Sequence, residues 1–260
     1  MTRIPSSETD TVLAIVAHPD DAEFLCAGTL TLLKKAGWKI EMATMTAGDC
    51  GSRDLGPEEI SSIRKAEAAK AAGLLDGGYE CMECRDLFIF YDEPTLKKVI
   101  RLIRKVRPKI ILTMSPSCYM VDHEMTSKIV QSASFATGIA NIPTDPVSPW
   151  FYTPHLYYID PMEGKDKFGK QIDPDFVVDI SSVIETKEQM LACHESQRKW
   201  LMEHHGMDEY MTAMKQFSAD RGKLAGVPYG EGFRQHLGHA YPQANLLAEV
   251  LGGHIKTLQK

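Results

Sequence analysis

The sequence predicts an α/β domain, a Rossmann-like three-layer fold with a mainly parallel sheet. Three observations predict it. The run at 12–16 and, after Lys109, the rest of the run at 109–114 are apolar and β-branched stretches, the composition of strands covered on both faces. The segments that follow them have the length and spacing of helices. Each run also ends in a cluster of ionisable residues, His18-Pro19-Asp20-Asp21 and Asp122-His123. Ligands of open α/β sheets bind at the carboxyl ends of strands, so both clusters are expected to face one crevice.

The elements follow in order. The strand at 12–16 leads into a helix over 24–36, and a second strand at 39–46 leads into the Gly-containing loop 47–53. Pro57 opens a helix reaching about Leu75, whose alanines allow close packing on the sheet. Residues 85–90 read as a short strand or extended loop, and 94–106 as an amphipathic helix with a solvated basic face. The strand at 109–114 precedes a helix over 124–138. Four prolines in 141–154 then separate the sheet-forming part from the rest. Later strands are expected at 156–159 and 176–180, a long helix over 181–204, and a last helix from near Gln243.

At 260 residues the chain can bury a full core and still form one domain. A metal-site core over 11–140 and a pocket-forming part over 150–260 are expected within it. A net charge of −6 argues against a nucleic-acid surface, which needs concentrated Lys and Arg. The first ten residues lack the apolar core of a secretory signal, and no apolar run approaches a membrane span. A cytoplasmic protein with six mostly reduced cysteines is the expectation, and a homo-oligomer is allowed. Cys81-x-x-Cys84 is half of a structural zinc site and lacks a second pair. His204 and His205 are adjacent and would point apart on a helix.

His18 and Asp21 can turn toward one point from the strand-end bend and offer an imidazole nitrogen and a carboxylate, ordinary zinc ligands. Asp20 is then left over, and a carboxylate beside an ion is suited to taking a proton from a water that the ion acidifies. The residues alone leave open that Asp20 or Asp21 merely caps the next helix. His123 can supply a third ligand from the second crevice. By itself it could equally be a first-turn residue behind a capping Asp122.

Ala17-His18-Pro19-Asp20-Asp21-Ala22-Glu23 resembles the Ala-His-Pro-Asp-Asp-x-Glu signature of the LmbE-like, or PIG-L, family of zinc-dependent N-deacetylases. The resemblance implies one zinc ion per chain held by His18, Asp21 and His123, with Asp20 as general base. It implies removal of an acetyl group from a glucosamine-like sugar or sugar conjugate. Arg64-x-x-Glu67 is similar to a family helix whose Arg reaches substrate hydroxyls, with Glu67 as support, and Asp86 to an acidic residue near the sugar. His194-Glu195-Ser196-Gln197 and Glu231-Gly232-Phe233-Arg234 resemble later family segments.

One position departs from the pattern. The family has His-x-Asp-His where this chain has Met120-Val121-Asp122-His123, and methionine cannot donate a proton. Met120 and Asp122 are therefore grouped with Arg64 and Asp86 on the substrate side, and His236 or His239 is expected to replace the missing histidine. The rival reading is a non-catalytic metal-, sugar- or nucleotide-binding protein on the same fold. The absence of G-x-G-x-x-G after the first strand weakens its dinucleotide version.

Overall fold

The computed structural model describes residues 9–198 and 209–258. Among these residues hydrogen bonds join eight strands into a single sheet, with helices packed against it. The first strand, β1 (Thr11–Val16), is buried along its whole length. It pairs in parallel with β2 (Lys39–Thr46) on one side and β4 (Ile110–Thr113) on the other, so that Val12 sits beside both Ile40 and Ile110. The third strand, β3 (Gly78–Cys84), extends the parallel part beyond β2, and β5 (His155–Ile159) extends it beyond β4. The parallel order is thus β3-β2-β1-β4-β5, and the chain reverses its direction of travel across the sheet between β1 and β4. That gap is the switch point at which α/β sheets open a crevice.

The sheet is mainly parallel only in this part. Beyond β5 come β7 (Gly230–Gln235), β6 (Phe176–Asp179) and β8 (Ile255–Lys256), and all three of these pairings are antiparallel. The sequence pattern at 176–180 pointed to a strand but carried no sign of direction. The strand at 230–235 was hidden by its two glycines, which lower strand propensity although the backbone pairs normally here.

The helices also differ in detail from expectation. The one expected over 24–36 starts earlier and breaks at Cys26, giving α1 (Asp21–Leu25) and α2 (Ala27–Lys35). Helix α3 (Pro57–Gly73) begins at its proline as expected, and α4 (Glu93–Val106) is capped by Asp92, whose side chain accepts from Thr95 N. Helix α5 (Val121–Phe135) starts three residues early, which places Asp122 and His123 in its first turn. The long helix expected over 181–204 is instead α6 (Ile184–Leu191) with a break at 192–194 before the chain turns helical again at 195. Among the described residues, the α-helices α7 (Glu209–Lys223) and α8 (Leu246–Leu251) follow. Residues 85–90 form no strand. Cys81 and Cys84 lie inside β3, and all six cysteines are free. His204 and His205 lie outside the described residues.

The core is continuous across both parts of the sheet, from Ile15 and Leu112 to Tyr157 and Phe233. Glu231, buried on β7, ties the antiparallel part to α2. It accepts from Gly28 N at 2.9 Å, Thr29 N at 2.7 Å and Thr29 Oγ1 at 2.6 Å, and pairs with the fully buried Lys187 at 2.6 Å. The first N–H groups of a helix lack intrahelical partners, and Cys26 caps none of them, so this carboxylate from about 200 residues away satisfies them. Among the described residues no helix is long and apolar enough to cross a membrane.

Candidate metal centre

The end of β1 makes a tight bend. Asp20 takes a left-handed backbone with φ 102°, an uncommon conformation for a residue with a Cβ, and Asp21 opens α1. Three local bonds hold this geometry, Phe24 N to Asp20 O at 2.9 Å, Asp21 N to His18 O at 3.3 Å and His18 N to the Asp21 carboxylate at 2.8 Å. Neither carboxylate acts as an ordinary cap, because the Asp20 side chain caps nothing and Asp21 is buried within the helix.

Asp21 sits between two imidazoles. Its Oδ2 is 3.4 Å from His18 Nδ1 and its Oδ1 is 3.4 Å from His123 Nε2. One donor atom from each of His18, Asp21 and His123 lies within 4.8 Å of the others, and all three residues are buried. The far nitrogen of each imidazole has its own partner. His18 Nε2 meets Asp122 Oδ2 at 3.0 Å, and His123 Nδ1 meets Cys118 Sγ at 3.2 Å. Zinc-binding histidines characteristically have such an outer partner, which fixes the ring and the tautomer. With nitrogen and oxygen donors facing inward and partners outward, the residues fit a divalent ion of the zinc type.

The electrostatics follow from this crowding. Burial opposes a charge on His18, but hydrogen bonds to Asp122 and Asp21 outweigh it and raise the imidazole to about 9. Burial likewise opposes a charge on His123, which the Asp21 carboxylate and the Cys118 contact raise to about 10. Asp21 is held well below the usual carboxylate range by the two imidazoles despite its burial. Burial pushes Asp20 up, against the pull of Arg64. The same ligand set therefore attracts a positive charge at its centre, supplied by protons when no ion is bound.

A cavity of about 430 Å³ opens over these residues. Arg64 and Asp86 line it, as the sequence suggested for the substrate side. Arg64 is buried and donates through Nη2 to Pro19 O at 2.7 Å and to Asp20 Oδ2 at 3.4 Å. It lies against Gly48 and Gly51, where a Cβ would come within 2.5 Å and 2.4 Å of its Nη1. Asp86 Oδ1 is 3.9 Å from His18 Nε2, and its Oδ2 accepts from Cys50 N. Met120 also lines the cavity as part of an apolar wall with Phe24, Leu87 and Met162.

Asp122 departs from the expected placement. It is completely buried and does not line the cavity, since Oδ2 is engaged by His18 and by Leu87 N at 2.7 Å. Its carboxylate stands behind the His18 ring, away from the cavity. His236 and His239 do not line the cavity either. His236 Nδ1 bonds the Tyr158 hydroxyl at 2.8 Å and its ring packs on Tyr241 at 4.1 Å, while His239 is exposed. The turn after β7 carries both histidines away from the crevice, so neither fills the place beside Met120.

Gln197 also lines the cavity, whereas Glu67 and His194 fall in scaffold positions. Glu67 accepts from Ser196 N and Oγ, both at 2.7 Å, and Gln197 Nε2 donates to Gly51 O at 3.0 Å. His194 approaches Glu23 to 3.2 Å. Sequence reasoning missed Cys118 and Tyr210. The thiol stands five residues before His123, a local clue, but Tyr210 donates to Asp20 Oδ2 at 2.6 Å from 190 residues away and belongs to no recognised motif. A larger hollow of about 830 Å³, near Asp10, Lys109 and Trp150 at the amino ends of the strands, holds none of the three ligand-type residues.

Comparison with known proteins places this arrangement in context. The PIG-L family pattern, described as GlcNAc-PI de-N-acetylase, matches residues 13–134. A diacetylchitobiose deacetylase of Thermococcus kodakarensis is 26% identical over 88% of this chain and 84% of its own length. The solved N,N'-diacetylchitobiose deacetylase of Pyrococcus horikoshii superposes with a TM-score of 0.75 at 23% identity, covering 92% of this chain and 89% of that one. A 4-carboxy-2-hydroxymuconate hydratase from Pseudomonas putida KT2440 superposes with a TM-score of 0.74 at 19% identity, covering 91% and 100%. These two superpositions speak to the fold.

Proposed function

For a chain that carries a PIG-L (LmbE-like) family domain over residues 13–134, we propose metal-dependent hydrolysis of an N-acyl group, acetyl in the simplest case, on a glucosamine-like sugar or sugar conjugate. The observation that carries this reading is the inward-facing set His18, Asp21 and His123 with a separate carboxylate, Asp20, in the same cavity. The deacetylase relative, similar over most of both chains, supports the reaction class.

A divalent ion held by the three ligands would supply Lewis acidity, polarising the acyl carbonyl and making a water easier to deprotonate. The chain's own residues account for the remaining steps. Asp20 takes a proton from the water as its oxygen attacks the acyl carbon, and the carbon–nitrogen bond then breaks. The proton held by Asp20 passes to the departing nitrogen, leaving acetate and a free amine. Arg64 and Asp86, on the cavity wall, offer a cationic donor and an acceptor to sugar hydroxyls. Asp122 and Cys118 hold the two imidazoles in their ligand orientations.

One observation favours a second reading, addition of water to an electron-poor double bond. Met120 puts a thioether in the place from which the resembled family's histidine would protonate a leaving amine; hydration has no leaving amine, and the proton that Asp20 takes from water would return to the adjacent carbon. A substrate panel decides between them. Zinc-loaded protein should release acetate from N-acetylglucosamine, N,N'-diacetylchitobiose or larger N-acetylglucosaminyl conjugates, stop on chelation and recover with added zinc. No acetate release, together with hydration of an unsaturated oxo-acid, would replace the first reading with the second.

A further inference from the structure

We propose that Tyr210 is the positioning residue for Asp20, taking from a distant helix the task of orienting the water-activating carboxylate. The inference rests on the reading of Asp20 as the base, a role common to hydrolysis and hydration. Its starting point is the strained bend, where Asp20 has a left-handed backbone and a side chain that caps nothing. Local structure therefore leaves the carboxylate free to rotate. Both of its described hydrogen bonds fall on Oδ2, from the Tyr210 hydroxyl at 2.6 Å and from Arg64 Nη2 at 3.4 Å. With Oδ2 anchored in this way, Oδ1 is the oxygen available to meet water.

The anchor is itself packed against neighbouring rings. Tyr210 is on α7, its ring packs on Phe24 with centroids 6.2 Å apart, and Phe24 packs in turn on Phe217 of the same helix at 6.1 Å. Burial and the neighbouring Asp20 charge push the phenol well above its ordinary value, so the hydroxyl keeps its proton and remains the donor. Tyr210 also lines the cavity, whereas His236 and His239 do not. It does not copy the acid role that Met120 cannot perform. It fixes the direction in which Asp20 gives and takes its proton, and misplacing a reacting group by about 1 Å can cost roughly 100-fold in rate.

The test compares the parent with Y210F, D20N and the double variant, because phenylalanine keeps the ring packing and removes only the hydroxyl. Y210F should lower kcat about 10- to 100-fold, leave KM within about twofold, and keep metal content and thermal midpoint near parental values. In the D20N background the same substitution should cost less than about twofold, because a residue acting through Asp20 has nothing left to position. In metal-free Y210F crystals the Asp20 carboxylate should leave its parental orientation. A parental kcat in Y210F, or an equal cost in both backgrounds, overturns the inference. A parent that turns over neither class of substrate overturns the catalytic reading instead. In that case the Asp20 orientation in the Y210F crystal still decides what Tyr210 does, an unmoved carboxylate counting against it.

Discussion

The parallel and antiparallel parts of the sheet contribute to the site in different ways. Strands β1 and β4 lead directly into the ligand-type residues, His18 and Asp21 after one and His123 after the other. The antiparallel part supplies none of the three. It sends Glu231 to the start of α2, and the chain between β6 and β7 carries Tyr210 to Asp20. The chemistry-bearing atoms thus come from short local loops, with nearby partners in Asp122, Cys118 and Arg64, whereas Tyr210 on Asp20 and Glu231 at the start of α2 reach in from far along the chain. The family pattern covers the first group and stops at residue 134, short of the second.

If that division is right, the largest effect belongs to the local group. Asp20→Asn should keep the metal and lose about 100- to 10,000-fold in turnover, the usual range for a lost general base. Stopped assays on protein of verified metal content would measure it, and a near-parental rate would remove Asp20 from its role.

Substitution at the seam should instead appear as stability. Glu231→Gln leaves the buried Lys187 ammonium without its anion, and breaking a buried pair in this way costs roughly 3–5 kcal/mol. Urea denaturation should show this as a lower midpoint. An unchanged midpoint would mean that the two parts are held together without this link.

A pH effect separates the ligand set from the rest of the core. In metal-free protein, His18 and His123 are raised from 6.5 to about 9 and about 10. Groups with raised folded-state values contribute stability that is complete below the unfolded value and is lost as pH rises through the folded one. Stability of the chelated protein should therefore fall between about pH 6.5 and 10, by up to roughly 3 kcal/mol for His18 alone. Added zinc should remove most of that slope, because the ion takes the place of the protons. Urea midpoints across this range, with and without zinc, would measure both effects, and a flat profile in chelator would contradict the charge balance around Asp21.

The smallest expected effect concerns the thiol behind His123. Cys118→Ala should weaken zinc binding by about 10- to 100-fold, as losses of outer partners do, while His123 remains a ligand. Competition with a chromophoric chelator would read it, and parental affinity would show that the ring is oriented by packing alone.

Much of the parallel part is legible in the sequence because its signals are short-range. A buried parallel strand must be apolar throughout, and its carboxyl end must carry the polar residues, so Val12 to Asp21 announces both a strand and a site. His18, Asp21 and His123 could be read as one set because two adjacent parallel strands bring two loops together in a fixed way. Tertiary structure alone decided the rest. Asp122 became a partner of His18 because the first turn of α5 points it inward. His236 and His239 were carried away from the crevice by a turn whose direction depends on antiparallel pairing. Tyr210 reached Asp20 through the packing of α7 on Phe24, a contact across 190 residues that leaves no periodic or local trace in the chain. Hydrophobic pattern and loop chemistry are written residue by residue, whereas the docking of distant elements depends on the shape of the whole core, and no single segment encodes it.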